Sequence, residues 1–196
     1  VSAALHGSLA ELTAPYVADM VREEMLERYG KEVYTQGLNV YTTVQSRLQT
    51  AANQALRNNL MAYEQRHGYR GAEKHVTLGE SAGAEDWAAS LTGFTSTGGL
   101  EPALVIALAE QSAAIYMQDG SLQLLTREGI EWAARYIDDN TRGADPTTAS
   151  DVLSVGDIIR LGKDEAGNWV LAQLPHVSGA LVSISPHNGA VLSLVG

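Results

Sequence analysis

Residues 113–126 read Ala-Ala-Ile-Tyr-Met-Gln-Asp-Gly-Ser-Leu-Gln-Leu-Leu-Thr. Two runs rich in apolar residues flank Asp119-Gly120. An Asp-Gly pair accepts the positive φ angles of a tight turn whose twist matches the strands on either side. The stretch therefore predicts an antiparallel hairpin, Ala113–Gln118 against Ser121–Thr126. Its neighbours continue the β pattern in both directions. Upstream, Ala103–Ala109 is an unbroken apolar run of the buried-strand type. Downstream, Asp157–Leu161 and Trp169–Leu174 flank the turn residues Lys163–Asn168. Gly179–Ser185 and Ala190–Val195 flank Pro186-His187-Asn188-Gly189. Without that last hairpin, about five short antiparallel strands remain, the count of a small barrel or sandwich. Between these runs, residues 79–101 are rich in Gly, Ser, Thr and Ala and read mostly as loop, with one helical turn near Glu85–Ala89. Asp138–Ser150 reads as a second polar loop.

The first third of the chain follows a different period. Thr13 is a candidate N-cap and Pro15 suits a first helical turn, where a missing N–H is harmless. Val17, Met20, Val21 and Met25 then recur at helical spacing, and Gly30 is a suitable stop. This predicts a helix over Ala14–Tyr29. A second helix is expected from Ser46 to Arg66, with Leu48, Ala52, Ala55, Leu56 and Tyr63 marking one face. Between them, Leu38–Val44 carries the β-branched residues of a strand. A lone strand needs ladder partners that helices cannot supply. The third hairpin is the available one. The expected class is α+β: a small antiparallel β-barrel inserted in a linker of two helices and a short β-sheet.

Composition narrows the function. The 196 residues carry 23 acids against 13 Lys+Arg, a formal net charge of −10. A protein that neutralises phosphates needs a local surplus of cations, so nucleic acid is disfavoured. Aromatics at 6%, with one Phe, leave little for a base-stacking platform. The absence of Cys removes disulfides, thiol nucleophiles and Cys-ligated metals. The longest apolar run, Ala103–Ala109, falls far short of the roughly 20 residues of a membrane-spanning helix. The start shows no basic segment followed by an apolar one, so no signal peptide is expected. Val1 in place of Met, and an end inside a strand-like run, suggest a piece of something longer.

No motif carries catalysis. Gly156-Asp-Ile-Ile-Arg-Leu-Gly162-Lys163 has five residues between its glycines where a phosphate loop has four, and Asp164 follows in place of Ser or Thr. Gly79-Glu80-Ser81-Ala82-Gly83 matches the string of a nucleophile elbow. However, Lys74–Leu78 is a poor buried strand, and the required alternation of parallel strands and helices is missing downstream. Asp138–Asp145 resembles the start of a calcium loop, but the twelfth position is Ala149, which has no side-chain oxygen. The five His are scattered, and His67 suits a helix C-terminus. No Ser-x-x-Lys or Lys-Thr-Gly occurs. Catalytic, cofactor and metal residues are therefore read as none. Trp87, in polar and Gly-rich surroundings, is the candidate for an exposed contact with a partner.

An ordered set of segments carries a family resemblance. Ala14-Pro15-Tyr16 opens the first helix. Tyr41-Thr42-Thr43-Val44 precedes the second, and Arg66-His67-Gly68-Tyr69-Arg70-Gly71 ends it. Gln118-Asp119-Gly120-Ser121, Gly129-Ile130-Glu131-Trp132-Ala133, Ala180-Leu181-Val182-Ser183 and Pro186-His187-Asn188-Gly189-Ala190-Val191 follow in order. From about Ala14 to Gly196 the chain resembles the linker and inserted OB-like domain of class A penicillin-binding proteins of the 1A type. The resemblance implies three parts: a helical linker segment over 1–68 with strand 38–44, an OB-like β domain over 69–177, and a hairpin over 178–196. That hairpin completes the linker sheet and leads toward a transpeptidase domain. It implies a periplasmic setting within a parent anchored in the inner membrane, which polymerises and cross-links peptidoglycan and takes part in cell-wall synthesis and cell shape. For this stretch it implies no catalytic residue. It implies a regulatory and docking role toward an outer-membrane lipoprotein activator, the parent's own glycosyltransferase and transpeptidase domains, and peptidoglycan. Two other readings stand beside it: a glycan-binding OB module, and a passive spacer between catalytic domains. The uncharged run from Pro175 to Gly196 independently suggests a hairpin covered on both sides.

Overall fold

The computed structural model describes residues 12–196. The first eleven residues of the linker segment expected over 1–68 lie outside that range. The chain divides into two compact units. One holds the residues up to Asn59 together with Val177–Gly196, and the other holds Leu60–His176.

In the first unit, helix α1 spans Pro15–Tyr29 and passes at Gly30 (φ 59°) into a 3-10 turn over Gly30–Tyr34. Ala14, not Thr13, is the N-cap, and no side chain caps it. Thr13 instead offers its carbonyl to Asn53 Nδ2 at 2.9 Å. Helix α2 spans Ser46–His67 and begins in this unit. The buried positions of its first half are Gln49 and Ala52, whereas Ala55 is exposed and Leu48 and Leu56 are half-buried. The third expected hairpin forms as strands Leu181–Ile184 and Val191–Val195, antiparallel, with a register shift between Val191 and Ser193.

The strand expected at Leu38–Val44 does not form as a ladder. The segment has no assigned strand and touches the hairpin by isolated bonds. Thr43 Oγ1 donates to Val191 O at 2.6 Å, and Gln45 N donates to Leu192 O at 2.9 Å. Gln49 supplies the rest from the helix. Its Nε2 donates to Leu194 O at 2.8 Å and its Oε1 accepts from Leu194 N at 2.9 Å. A side-chain amide thus reproduces the donor–acceptor pair of a neighbouring strand, so the hairpin edge is satisfied without one.

The second unit is built on one antiparallel sheet. Its strands are β1 (Lys74–His75), β2 (Glu101–Ala109), β3 (Ser112–Met117), β4 (Leu122–Thr126), β7 (Asp157–Lys163) and β8 (Trp169–Ala172). A small separate ladder joins β5 (Tyr136–Asp138) to β6 (Thr141–Arg142), and the hairpin of the first unit supplies β9 and β10. The sheet order is β1-β7-β2-β3-β4, with β8 pairing β7. β7 pairs β2 along Ile158–Leu161. It also pairs β1 at its start and β8 toward its end. The sheet curls so that β4 approaches β8, but no ladder joins them. The OB-like unit is therefore an open curled sheet.

Alternation along the strands makes two apolar layers. Ala103 and Val105, Ala113 and Ile115, Leu125, Ile159, Leu161 and Leu171 form the inner core. Leu104, Tyr116 and Ile158 point the other way and meet Leu91, with Val76, Leu78, Trp87, Phe94 and Ile106 packed alongside. The stretch read as mostly loop over 79–101 holds helix α3, Ala84–Ser90, which helps cover this outer layer. The Asp-Gly hairpin forms with a longer connection than two residues. Gly120 N donates to Met117 O, Met117 N donates to Ser121 O, and Gly120 takes φ 84°. This is the three-residue form, with a turn followed by a left-handed glycine.

Candidate functional site

The side chains that sequence reasoning passed over are the ones the fold gathers. At the neck of the β unit, the last turn of α2 meets the outgoing chain at residues 68–73 and the returning chain at 173–176. Glu64 lies here with 1% of its surface exposed. Its carboxylate pairs with Arg70 and accepts from Gln173 Nε2 and the backbone N of His176, both at 2.9 Å. Gln173 Nε2 also donates to Gly68 O at 2.9 Å, while its Oε1 accepts from Arg70 N at 2.9 Å. Arg70 stacks over Tyr136, 4.2 Å from the ring centre. Every buried side-chain polar atom among the described residues has a partner. A buried carboxylate is tolerable only when so surrounded.

Backbone geometry makes the neck possible. Gly68 has φ 100°, and a Cβ there would lie 2.6 Å from Ala134 O. Only glycine lets the helix end turn that closely. Tyr69 follows, with its N donating to Ala134 O at 2.7 Å and its O accepting from Tyr136 N at 2.9 Å. Burial is the main cause that pushes the Tyr69 phenol above its usual range. A shallow cleft of about 600 Å³ opens between residues 70–73 and 173–176.

A second joint fastens the same entry segment to the sheet. Arg160 on β7 donates through Nε to Glu73 Oε1 at 2.7 Å and through Nη2 to Glu73 Oε2 at 3.1 Å. Its Nη1 donates to Thr95 O at 2.6 Å. Nearby, Asp157 Oδ1 meets His75 Nδ1 at 2.8 Å, and Asp157 Oδ2 accepts from Ser154 N at 2.7 Å. These groups tie loops to strands; Glu73 borders the same cleft as His176, but both of its carboxylate oxygens are engaged by Arg160.

The residues singled out from sequence fall elsewhere. Trp87 is half-buried rather than exposed. Its ring packs edge-on against Tyr116, with centroids 5.5 Å apart, because α3 lays it on the outer layer of the sheet. Ser81 lies in an exposed turn ahead of α3. The strand before it, β1, is two residues long and antiparallel, so the elbow geometry is missing. Asp138 caps its own turn by accepting from Asn140 N at 2.9 Å, and no group of three or more metal-ligating side chains occurs among the described residues. Trp132 Nε1 donates to Leu171 O at 2.9 Å. His67 Nδ1 meets Tyr63 O at 2.8 Å at the end of α2. No helix among the described residues is long and apolar enough to cross a membrane.

Comparison with known proteins agrees with this architecture. Residues 69–177 match the family described as penicillin-binding protein OB-like domain. The chain is 41% identical over 196 residues to penicillin-binding protein 1A of Pseudomonas aeruginosa, covering all of this chain and 24% of that protein. It is 41% identical over 198 residues to penicillin-binding protein 1A of Escherichia coli, again covering all of this chain but 23% of the relative. The crystal structure of penicillin-binding protein 1A from Haemophilus influenzae superposes with a TM-score of 0.76 at 32% identity, over 96% of this chain and 26% of that one. The chain thus spans about a quarter of the length of the relatives it matches.

Proposed function

Because this chain belongs to the penicillin-binding proteins, as the linker and OB-like region of the 1A type, we propose that it is the docking and regulatory segment of a periplasmic peptidoglycan synthase. In this reading the parent is anchored in the inner membrane, polymerises glycan strands and cross-links their peptides. The OB-like unit receives an outer-membrane lipoprotein that activates the synthase.

The observation that supports docking over a passive spacer is the neck. Glu64, Arg70, Gln173 and the backbone of His176 bind the chain's entry to its exit in one buried hydrogen-bonded cluster. A module held this way can be carried on a linker with its two ends side by side, and a load on it reaches α2 through fixed bonds rather than through loose chain. A spacer has no need of such a joint. In the first unit, Val182 and Ile184 on one face of the hairpin are more than half exposed. That apolar face suits coverage by the rest of the longer chain.

The experiment is a deletion in the full-length synthase, replacing residues 69–177 by a short Gly/Ser bridge. Glycan polymerisation and cross-linking are then assayed with and without the lipoprotein. The docking reading expects basal activity to remain and activation to vanish. Full activation without the domain, with glycan binding unchanged, would leave only the spacer reading. Loss of binding to glycan strands in the deleted protein, with lipoprotein activation intact, would favour the glycan-binding module instead.

A further inference from the structure

From the outer face of the sheet we infer a docking surface for an amphipathic helix of a partner protein, an apolar stripe bordered by Lys or Arg. The inference rests on the docking reading for its biological purpose; in that reading the helix belongs to the lipoprotein.

Cross-strand pairing defines the face. Residues directly opposite each other in an antiparallel ladder lie on the same side of the sheet. Leu104, Tyr116 and Leu122 form one such row, and Ala107, Ala114 and Leu124 form the next. A third row, Ala109, Ser112 and Thr126, ends the face at the β2–β3 turn. None of these residues is charged. The 127–129 turn packs on Leu125, which belongs to the core side of β4, and so leaves the opposite side clear.

Cover stops partway across this face. α3 lays Trp87 on Tyr116, and Leu91 and Phe94 join the same layer against Leu104. Leu104 and Tyr116 are buried as a result. Their row then ends in the open. Leu122 is 63% exposed, and Leu124 in the next row is 62% exposed. Ala107 and Ala109 are exposed as well. One half of the face is thus packed under a helix, and the adjoining half is bare apolar surface. A helix buries its apolar stripe on a sheet in this way. Leu122 and Leu124 stand about 7 Å apart along the strand, close to the roughly 5–6 Å between side chains one turn apart on a helix.

Charge sets what flanks the stripe. From residue 76 to residue 126 the chain has six acids and no Lys or Arg. That stretch contains α3 and all three strands of the face. Asp119 stands in the β3–β4 turn at one end, Glu110 in the β2–β3 turn at the other, and Glu85 and Asp86 on α3. All four are exposed. None of the six acids forms an ion pair among the described residues. Arg127 comes only after the last row, beside Glu128. A helix with Lys or Arg along its borders therefore meets a negative rim at both ends of the bare half. The other bare apolar pair, Val182 and Ile184, lies in a run over 177–196 that carries no acid and offers no such selection.

The test uses the 196-residue chain and a capped helical peptide of about 18 residues, roughly five turns. The peptide is built of leucine, alanine and lysine, with leucine in one stripe and lysine on both borders. NMR shifts should fall on Ala107, Ala114, Leu122 and Leu124 and on the adjoining side of α3. Leu122→Ser/Leu124→Ser, exposed at both positions and so folded as before, should bind about tenfold more weakly. Glu110→Gln/Asp119→Asn should bind about threefold more weakly, with a flatter salt dependence. Val182→Ser/Ile184→Ser should bind as the parent chain does. A peptide with glutamate in place of lysine should not compete. Equal affinity for that acidic peptide, unaltered affinity in the double leucine variant, or shifts centred elsewhere on the molecule would overturn the proposal. So would a dimer in sedimentation that the double leucine variant abolishes, since the face would then be a contact between copies. The docking reading fails separately, by the deletion experiment in the synthase.

Discussion

Arg160 grips Glu73 with two hydrogen bonds, 2.7 and 3.1 Å long, across 87 residues of sequence. The guanidinium is 6% exposed and also holds Thr95 O at 2.6 Å. One side chain thus fastens both the entry segment and the loop after α3 to the middle of the sheet. Removing Glu73 strands a buried cation, so Glu73→Ala should destabilise the chain by about 3 kcal/mol. Glu73→Gln, which keeps one acceptor, should lose about 1–2 kcal/mol. Urea unfolding followed by Trp fluorescence measures both, and equal losses would show that the pair contributes no more than packing.

Glu64 is the centre of the neck. Glu64→Ala leaves Arg70, Gln173 and the His176 amide without their acceptor, and should cost about 3–5 kcal/mol. Glu64→Gln retains an acceptor but turns donors toward Arg70, and should cost about 1–3 kcal/mol. Amide exchange at residues 68–70 and 173–176 should accelerate in both variants, and more in the alanine. Unchanged protection there would mean that the cluster does not hold the entry to the exit.

Two glycines with the same hand of backbone separate strain from close approach. Gly156 has φ 96°, and a Cβ would meet Val76 O at 2.0 Å. Gly167 has φ 87° with nothing within 4 Å. Gly167→Ala should lose only the left-handed penalty, about 1–2 kcal/mol. Gly156→Ala must also push Val76 away, and should lose about 3 kcal/mol or more. Thermal melts of the pair decide it.

Asp151 should make the chain acid-sensitive at one loop. Its carboxylate accepts from the backbone N of Thr147 and of Thr148, both at 2.8 Å. The Thr148 backbone bond first, then the Thr147 bonds, hold it at about 2 against an ordinary 3.8. A carboxyl lowered by folding stabilises the native state above its unfolded value, and that contribution fades as pH falls through the folded one. The melting-temperature gap between the parent chain and Asp151→Ala should therefore be full above pH 3.8 and should close as pH approaches 2. A gap that widens toward acid would reverse the assignment.

How much of this was legible in sequence can be traced residue by residue. Val17, Met20 and Val21 carried α1, and Asp119-Gly120 carried the central hairpin, because both signals are local: a helical period and a turn that only certain residues permit. Leu38–Val44 misled, because β-branched composition says nothing about whether a partner edge is already taken, and Gln49 takes it. α3 was read as a single turn for the opposite reason. Its glycine- and alanine-rich setting has weak periodicity, and it is held by the outer layer of a sheet that no local window contains. Trp87 read as exposed from its polar neighbours and is half-buried on Tyr116, 29 residues away in sequence.

The site was the least legible part. Little in the local sequence marks Glu64, Arg70, Gln173 or Arg160 for burial. A hint existed in Glu64, which interrupts the apolar face of α2 one residue after Tyr63. The pattern could not say that its partners would come from both ends of an inserted domain.

The period of each element, the turns between them, the acidic balance and the ordered segments that mark the family can all be read without a structure. These follow from forces acting over a few residues or from composition alone. Long-range folding alone settles which polar side chains are buried together at the neck and where Trp87 rests. Burial and pairing depend on groups that the chain brings together from 60 to more than 100 residues apart, and no local pattern specifies the desolvation that makes such contacts matter.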